Sequence, residues 1–259
     1  MQNHSFARRA SILAVLAGSV LLGACGKTDS SAETGKADTD VVQVKIGFAA
    51  PLTGPQGHLG KDMENAAQLA IDEANAARLQ IGNKPARFEL LVEDDMADPR
   101  TATTVAQKFV DEGVSGIIGH LNSGTSIPAS KIYNSNGIVQ ISPSSTAIAY
   151  TAQGYKNAFR VMANDAQQGA GLGSYAVNSL GAKKIAIVDD RTAYGQGLAD
   201  EFEKAATAAG ATVVVREFTS DKATDFNAIL TNIKGTSPEL LCFGGMDKQG
   251  ALMVRQMHE

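Results

Sequence analysis

The chain has 259 residues, a formal net charge of −4 and only two cysteines, Cys25 and Cys242. Two cysteines cannot form a framework of several disulfides, so the fold has to rest on a hydrophobic core. The negative net charge argues against a nucleic-acid partner, because binding to phosphates requires a basic surface. These properties indicate an acidic globular protein with one or two cores.

The first 24 residues have the pattern of a signal peptide. Arg8 and Arg9 form a positive flank, and an apolar run covers residues 12–22. This run is shorter than the roughly 20 apolar residues of a membrane-spanning helix. We take general secretion as the route, although the paired arginines also fit twin-arginine export.

The next segment predicts a lipid anchor and a tether. The sequence Leu22-Gly23-Ala24-Cys25 resembles the bacterial lipobox, which would make a lipidated Cys25 the first residue of the mature protein. The alternative is cleavage after a small residue that precedes an incidental cysteine. Residues 25–40 are mostly small or polar, so they cannot form a packed core and are expected to tether the domain to a membrane.

From residue 41 onward, short apolar runs alternate with longer amphipathic segments, which is typical of βαβ units around a parallel sheet. One set of elements covers residues 41–162 and a second set covers 163–259. This predicts an α/β fold with two doubly wound lobes and a cleft between them. The second lobe is expected to be incomplete, because it has few strands and the chain stops after a helix. The predicted strands cover residues 42–49, 88–92, 114–119, 138–142, 184–188, 212–218 and 240–243.

Helices are predicted between these strands. Asp98 is expected to cap one of them, with Pro99 at the first helical position, where the missing N–H costs nothing. In the helix at 57–79, small and apolar residues such as Met63, Ala66 and Ala70 recur at helical spacing. The other predicted helices cover residues 127–136, 165–180, 198–209, 226–233 and 247–258.

The sequence lacks the common signatures of enzymes, cofactor sites and metal sites, including HExxH, CxxC, the G-x-S-x-G elbow and the P-loop. His58 and His120 have no Cys or Ser at triad spacing and are interpreted as surface or loop residues. Residues 171–176 match G-x-G-x-x-A, but these glycines fall inside a predicted helix instead of directly after a strand. We therefore expect these glycines to permit close helix packing. We also expect that the protein binds no cofactor and is not an enzyme.

Two hydroxyl-rich segments, 120–126 and 142–146, follow neighbouring predicted strands. Both should lie at the carboxyl edge of the sheet, where open α/β folds bind ligands. Hydroxyl groups beside free backbone N–H groups at a helix start can bind a carboxylate without a basic residue. Such segments also serve as ordinary helix caps, so composition alone leaves both interpretations open.

Five separated motifs resemble the branched-chain amino-acid-binding proteins of ABC importers, in the same order and with matching spacing from about residue 44 onward. The resemblance implies a type I periplasmic-binding fold that closes on a small amino acid, with a membrane permease as partner. It also implies a location in the cell envelope, on the periplasmic face. The motifs are Pro51-Leu52-Thr53-Gly54-Pro55, Glu93-Asp94-Asp95 with Asp98-Pro99, Gly119-His120-Leu121 with Ser123, Ser142-Pro143, and Asp189 with Tyr194-Gly195.

The same resemblance implies roles for individual residues. Ser123 and Thr146 match hydroxyls that bind the ligand α-carboxylate, and Ser144 matches a residue that offers a backbone contact. Tyr194 matches an aromatic residue near the ammonium group, and Leu59 matches a residue that borders the ligand side chain. Tyr194 as a packing residue and Leu59 as plain core remain alternatives. The acid with which the family binds the ammonium group corresponds to a position beyond residue 259.

One departure from the family pattern concerns a disulfide. Many relatives join two positions that are Ala97 and Asn122 in this sequence, so both partners have changed together. The expected function is the extracytoplasmic solute-binding component of an ABC transporter for a branched-chain or related amino acid. The alternative is a receptor or sensor of the same fold for an amide, urea or an aromatic acid.

Overall fold

The computed structural model of the protein describes residues 40–258. The predicted signal peptide, Cys25 and all but the last residue of the predicted tether lie outside this range. Within it, no helix is both long and apolar enough to cross a membrane.

A six-stranded sheet forms the first part of the described chain. Its strands are β1 (Val42–Ala50), β2 (Gln80–Ile81), β3 (Lys84–Asp94), β4 (Gly116–Gly119), β5 (Val139–Ser142) and β6 (Ala158–Arg160). They are ordered β2-β3-β1-β4-β5-β6, and all neighbours are parallel except the short antiparallel pair β2 and β3. Phe48, Ala49 and Ala50 are wholly buried, as expected for the end of a central parallel strand covered on both faces.

Four helices belong to this first part: α1 (Gly57–Ala76), α2 (Pro99–Asp111), α3 (Ser123–Ser135) and the short α4 (Ile148–Ala152). The predicted cap of α2 is confirmed. Asp98 Oδ1 accepts hydrogen bonds from the backbone N–H groups of Arg100 and Thr101, at 3.0 and 2.8 Å. This satisfies two amides that have no partner inside the helix.

A three-stranded parallel sheet forms the second part. Its strands are β7 (Lys184–Asp189), β8 (Thr212–Phe218) and β9 (Leu240–Gly244), ordered β8-β7-β9. The accompanying helices are α5 (Asp165–Asn178), α6 (Ala193–Ala208), α7 (Asn227–Thr236) and α8 (Asp247–Met257). The central strand β7 is the most deeply buried, with Ile185 and Ile187 fully enclosed.

Several helix boundaries differ from the prediction. Helix α3 begins at Ser123 instead of residue 127. Its first turn consists of hydroxyl residues and Gly124, so apolar periodicity does not reveal it. Helix α6 begins at Ala193 instead of 198, so Tyr194 lies in its first turn. Helix α1 ends at Ala76, two residues before Arg78, whose φ of 50° is left-handed.

The G-x-G-x-x-A segment, residues 171–176, lies inside α5, and the packing interpretation holds for Gly173 but not for Gly171, where an added Cβ would have no atom within 4 Å. A Cβ atom on Gly173 would lie 2.8 Å from Ala205 Cβ, and one on Gly169 would lie 2.5 Å from Glu201 Cβ. Both contacts are with α6, and both are too short for a real side chain. The glycines therefore let α5 and α6 pack with their backbones close together.

The core of the first part lies between the six-stranded sheet and helices α2 and α3. Phe109 is wholly buried there and belongs to one cluster with Val105, Ile117 and Tyr133. We expect Phe109→Ala to lower the free energy of unfolding by about 3 to 5 kcal/mol, because it removes buried contacts and leaves a cavity. Urea denaturation would measure this. The control Leu69→Ala changes a side chain that is 58% exposed, and an equal loss in both variants would contradict the assignment of the core.

Candidate functional site

A cavity of about 280 Å³ lies where the carboxyl ends of the first-sheet strands face α6 and the segment between β9 and α8. All five residues singled out from the sequence line it: Leu59 from α1, Ser123 from the first turn of α3, Ser144 and Thr146 from the segment after β5, and Tyr194 from α6. The fold therefore brings together residues that are up to 135 positions apart in the sequence (Leu59 to Tyr194). Ligand pockets have volumes from about 300 Å³ upward, so this cavity suits a small ligand.

Other lining residues were not predicted. Asp62 and Met63 could have been found, since they lie three and four positions after Leu59 and so share its helix face. Met246 follows the paired glycines at the end of β9, and no sequence pattern marks it. Its side chain packs against the first-part cluster that includes Phe48. The remaining lining residues are Leu121, Asn122, Met162 and Gln168.

Ser123 is buried and joins the two hydroxyl-rich segments. Its Oγ accepts hydrogen bonds from the backbone N–H groups of Thr146 and Ala147, at 3.1 and 3.0 Å. Both bonds use the oxygen as acceptor, so the hydroxyl hydrogen is still available as a donor. Ser123 also opens α3, whose first backbone N–H groups have no partner inside the helix and carry positive potential. This arrangement suits a carboxylate.

Thr146 is held in place by its backbone, and its hydroxyl lies near the Asp165 carboxyl, whose pKa it lowers. Arg160 donates hydrogen bonds of 2.8 Å to the carbonyl oxygens of Ser145 and Ala147, on either side of Thr146. Thr146 is 2% exposed, and its Oγ1 has no hydrogen-bond partner within the described residues. The Ser144 hydroxyl, by contrast, already donates to the Leu121 carbonyl at 2.8 Å. Thr146 is therefore the cavity hydroxyl with the most unused bonding capacity.

His120 lies in the loop after β4, as one of the two expected placements had it, but it is wholly buried and is therefore not a surface residue. Its Nδ1 lies 2.7 Å from Asp95 Oδ2, and its Nε2 lies 3.1 Å from the Tyr133 hydroxyl. Desolvation, with a smaller contribution from the charge of Asp95, raises the pKa of Tyr133 well above its usual value of 10.0. Since all three side chains are sealed in the core, this group supports the loop after β4 and does not face the cavity.

Tyr194 faces the cavity from the second part of the chain. Thr192 caps its helix, because the Thr192 Oγ1 accepts from the Gly195 N–H at 3.0 Å. Burial raises the pKa of the Tyr194 hydroxyl above 10.0, and the negative charges of Asp165 and Asp190 raise it further. The phenol therefore stays protonated at neutral pH and can donate a hydrogen bond.

Ala97 and Asn122, the positions at which the family resemblance implies a lost disulfide, make separate contacts. Asn122 Nδ2 donates a hydrogen bond of 2.7 Å to Gln56 Oε1, which joins the start of α3 to the turn before α1. Ala97 adopts a left-handed φ of 55° in the loop before α2. The noncovalent contact of Asn122 therefore restrains the start of α3, where the cavity lies.

The two parallel sheets with a small cavity between their carboxyl edges have the architecture of type I periplasmic binding proteins. A family model described as "Periplasmic binding protein" matches residues 43–259. The chain belongs to this family, which confirms the family and the fold class inferred from the sequence motifs.

Individual relatives agree with this membership. Leu/Ile/Val-binding protein homolog 1 of Brucella abortus is 39% identical over 214 residues, which cover 83% of this chain and 57% of the relative. Among solved structures, a leucine-binding protein from Thermotoga maritima matches with a TM-score of 0.73 and 28% identity, over 83% of this chain and 60% of its own. A branched-chain amino acid transporter substrate-binding protein from Streptococcus pneumoniae, in complex with isoleucine, matches with a TM-score of 0.69 and 30% identity, over 77% and 56%. The chain thus spans less than two thirds of the length of these relatives.

The buried carboxyl of Asp165 leads to a prediction about pH. Burial raises its pKa above 3.8, and the Thr146 hydroxyl and the Arg160 charge offset this only in part. A raised pKa means that the folded chain binds the proton of Asp165 more tightly than the unfolded chain does. This proton binding adds to the free energy of unfolding below the unfolded pKa, and the added stability is lost as the pH rises through the folded pKa. Asp165→Asn has no carboxyl to ionise and should not show this loss. The free energy of unfolding of the variant, relative to that of wild type, should therefore increase as the pH is raised from about 3 to about 7.

Urea denaturation of both proteins across this pH range would measure the difference. The control is Asp111→Asn, which changes an exposed carboxyl on α2. A constant difference between Asp165→Asn and wild type at all pH values would contradict the raised pKa.

Proposed function

We propose that this chain is the extracytoplasmic solute-binding component of an ABC importer and that it captures a branched-chain or related amino acid. The observation that carries the proposal is the cavity, where hydroxyls from the first sheet face Tyr194 and Met246 from the second part. The names of the Brucella abortus and Streptococcus pneumoniae relatives support the class of ligand. We propose capture without catalysis, because the buried pair of His120 and Asp95 is sealed away from the cavity.

The lining supports distinct roles for its residues. We assign the ligand carboxylate to the Ser123 hydroxyl, the Thr146 hydroxyl and the first N–H groups of α3, which together provide donors without a basic side chain. Ser144 supports this subsite from the neighbouring segment. Leu59 and the methionines of the lining provide an apolar surface for an aliphatic side chain, and Tyr194 closes the site from the opposite side.

We further propose two lobes, 41–162 and 163–259, that close around the ligand. Contacts across the cleft support this mechanism. His58 Nε2 on α1 lies 2.9 Å from Asp247 Oδ2 on α8, and Met246 packs against the first-part cluster. A ligand that touches both lobes stabilises the closed form by the contacts that exist only in that form.

The proposed location and partners follow from family membership and from the N-terminal motifs. We propose residues 1–24 as a signal peptide, Cys25 as the lipidated residue and residues 25–40 as the tether. The lipid chains would hold the protein at the membrane, where it would deliver its ligand to the permease. No cofactor is part of this proposal.

We expect Thr146→Val and Ser123→Ala each to weaken leucine binding by about 1 to 3 kcal/mol, because each removes a donor to a buried carboxylate. Their effects on folding should differ. Thr146→Val removes a hydroxyl whose interaction within the described residues is the one that lowers the pKa of Asp165, so it should reduce the free energy of unfolding less than Ser123→Ala, which leaves two backbone N–H groups without their acceptor. Calorimetry and urea denaturation of the protein expressed from its full reading frame would separate the two effects.

The matched control is Ser135→Ala, which removes an exposed hydroxyl from the last turn of α3. Leucine affinity that stays unchanged in both cavity variants would remove these hydroxyls from the carboxylate subsite.

We expect Cys25→Ser to release the protein from the membrane fraction or to block its processing, because the acyl chains are the proposed anchor. Cys242→Ala, which changes the other cysteine of the chain, serves as the control and should remain membrane-bound. Mass spectrometry of the mature N-terminus would check this. An unmodified N-terminus at a different residue in the wild type would contradict the anchor.

A further inference from the structure

Methionine side chains make up most of the apolar lining of the cavity. The chain has seven methionines, and all except Met1 lie within residues 40–258. The other aliphatic side chains of the lining are those of Leu59 and Leu121. Three methionines, called the cavity methionines below, line the cavity from three separate elements: Met63 from α1, Met162 from the segment between β6 and α5, and Met246 from the segment between β9 and α8.

The cavity methionines are half-buried, so a small oxidant can reach them from solvent. The other described methionines provide both extremes for comparison. Met96 and Met257 lie outside the cavity and are 62% and 52% exposed, whereas Met253 is 2% exposed in the core of the second part. Susceptibility to oxidation follows exposure, so these residues should differ in rate within one molecule.

Oxidation converts the methionine side chain from an apolar group into a polar one. Hydrogen peroxide transfers one oxygen atom to the thioether sulfur: the O–O bond breaks, the S=O bond forms, and the second oxygen leaves with both hydrogens as water. The sulfur loses two electrons and the peroxide gains them. The sulfoxide is a polar, chiral group that accepts hydrogen bonds, so it no longer suits an apolar surface.

Sulfoxides in the cavity oppose ligand binding in two ways. In the proposed site, an aliphatic ligand side chain would displace water from the sulfoxide oxygen without replacing its hydrogen bonds. In addition, Met63 and Met246 both pack against the cluster that contains Phe48 and Leu121. Because Met246 comes from the second part of the chain, its contact joins the two sides of the cleft, and a polar group there weakens closure.

We propose that the cavity methionines are a site of reversible oxidation and that their conversion to sulfoxides by a peroxide switches off ligand capture. This inference rests on the proposed function and adds control of the same site by an oxidant. The proposed location outside the cytoplasm exposes the protein to such oxidants. Methionine sulfoxide reductases reverse the reaction, since they remove the oxygen as water while two thiols are oxidised to a disulfide.

Calorimetry with leucine tests the proposal on the protein expressed from its full reading frame, before and after treatment with hydrogen peroxide. We expect the oxidised wild type to bind leucine at least about tenfold more weakly, because the sulfoxides lose hydration when the ligand enters. Treatment with methionine sulfoxide reductases A and B and dithiothreitol should restore the affinity. Dithiothreitol alone should not restore it, which separates this effect from a disulfide or sulfenic acid at Cys242.

Leucine substitutions locate the effect. The combined variant Met63→Leu, Met162→Leu, Met246→Leu has no thioether in the cavity, and leucine replaces methionine with little change in volume. Its affinity before treatment is its own reference, and peroxide should change that affinity by less than about twofold. The matched control Met96→Leu, Met257→Leu lacks two exposed methionines outside the cavity and should lose affinity on oxidation as wild type does.

Peptide mass spectrometry during the peroxide reaction gives a second test that does not depend on the variants. Bound leucine should slow sulfoxide formation at the cavity methionines and leave the rates at Met96 and Met257 unchanged. Met253 should be oxidised most slowly with or without leucine, because it is buried.

Several results would overturn this inference while the proposed function stands. They are unchanged leucine affinity after the cavity methionines have become sulfoxides, oxidation of these residues no faster than that of Met253, no protection by leucine, and a combined leucine variant as sensitive as wild type. If the combined variant does not fold, the mass spectrometry and the affinity of oxidised wild type decide. Untreated wild type that binds no amino acid would overturn the proposed function together with this inference.

Discussion

The candidate site depends on the hydrogen bonds that fix the backbone at His120, where β4 ends and the chain turns into α3. The His120 carbonyl accepts from the hydroxyls of Ser142, Ser126 and Ser145, at 2.7, 3.2 and 3.3 Å. On the opposite side, its imidazole lies between Asp95 and Tyr133. A buried polar group whose members are all satisfied holds its backbone rigidly. The start of α3 and the segment after β5 are therefore fixed relative to each other.

This rigidity explains how the loop can do without the disulfide that the family resemblance implies at these positions. A crosslink between the positions of Ala97 and Asn122 would restrain the same two segments that the Asp95 to His120 contact already joins in the core. At the surface, the hydrogen bond from Asn122 to Gln56 adds a second restraint. Disulfides stabilise mainly through the unfolded state, so their loss need not alter the folded geometry. The cavity therefore keeps its shape through hydrogen bonds.

The sequence predicts the positions of most strands along the chain and the five cavity residues for different reasons. Alternating apolar and amphipathic segments identify the strands, while Ser123 and Thr146 follow from hydroxyls placed at two strand ends together with the family motifs. Periodicity cannot reveal tertiary partners, so His120 was taken for a surface residue although Asp95 and Tyr133 enclose it. For the same reason Met246 was missed, since only the fold shows that it packs against the first part.

In the proposed mechanism, the strength of the contacts across the cleft determines how far closure depends on ligand. The His58 and Asp247 side chains are each more than half exposed, and exposed ion pairs contribute at most about 1 kcal/mol. Met246 contributes a partly buried apolar contact, while the Thr146 hydroxyl lines the cavity, where a ligand carboxylate can accept from it. Shifting two states from mostly open to mostly closed requires about 5.5 kcal/mol of differential binding. Since the cleft itself provides only a small part of this, the free energy for closure has to come from the ligand, through the hydroxyl subsite on one side and Tyr194 on the other.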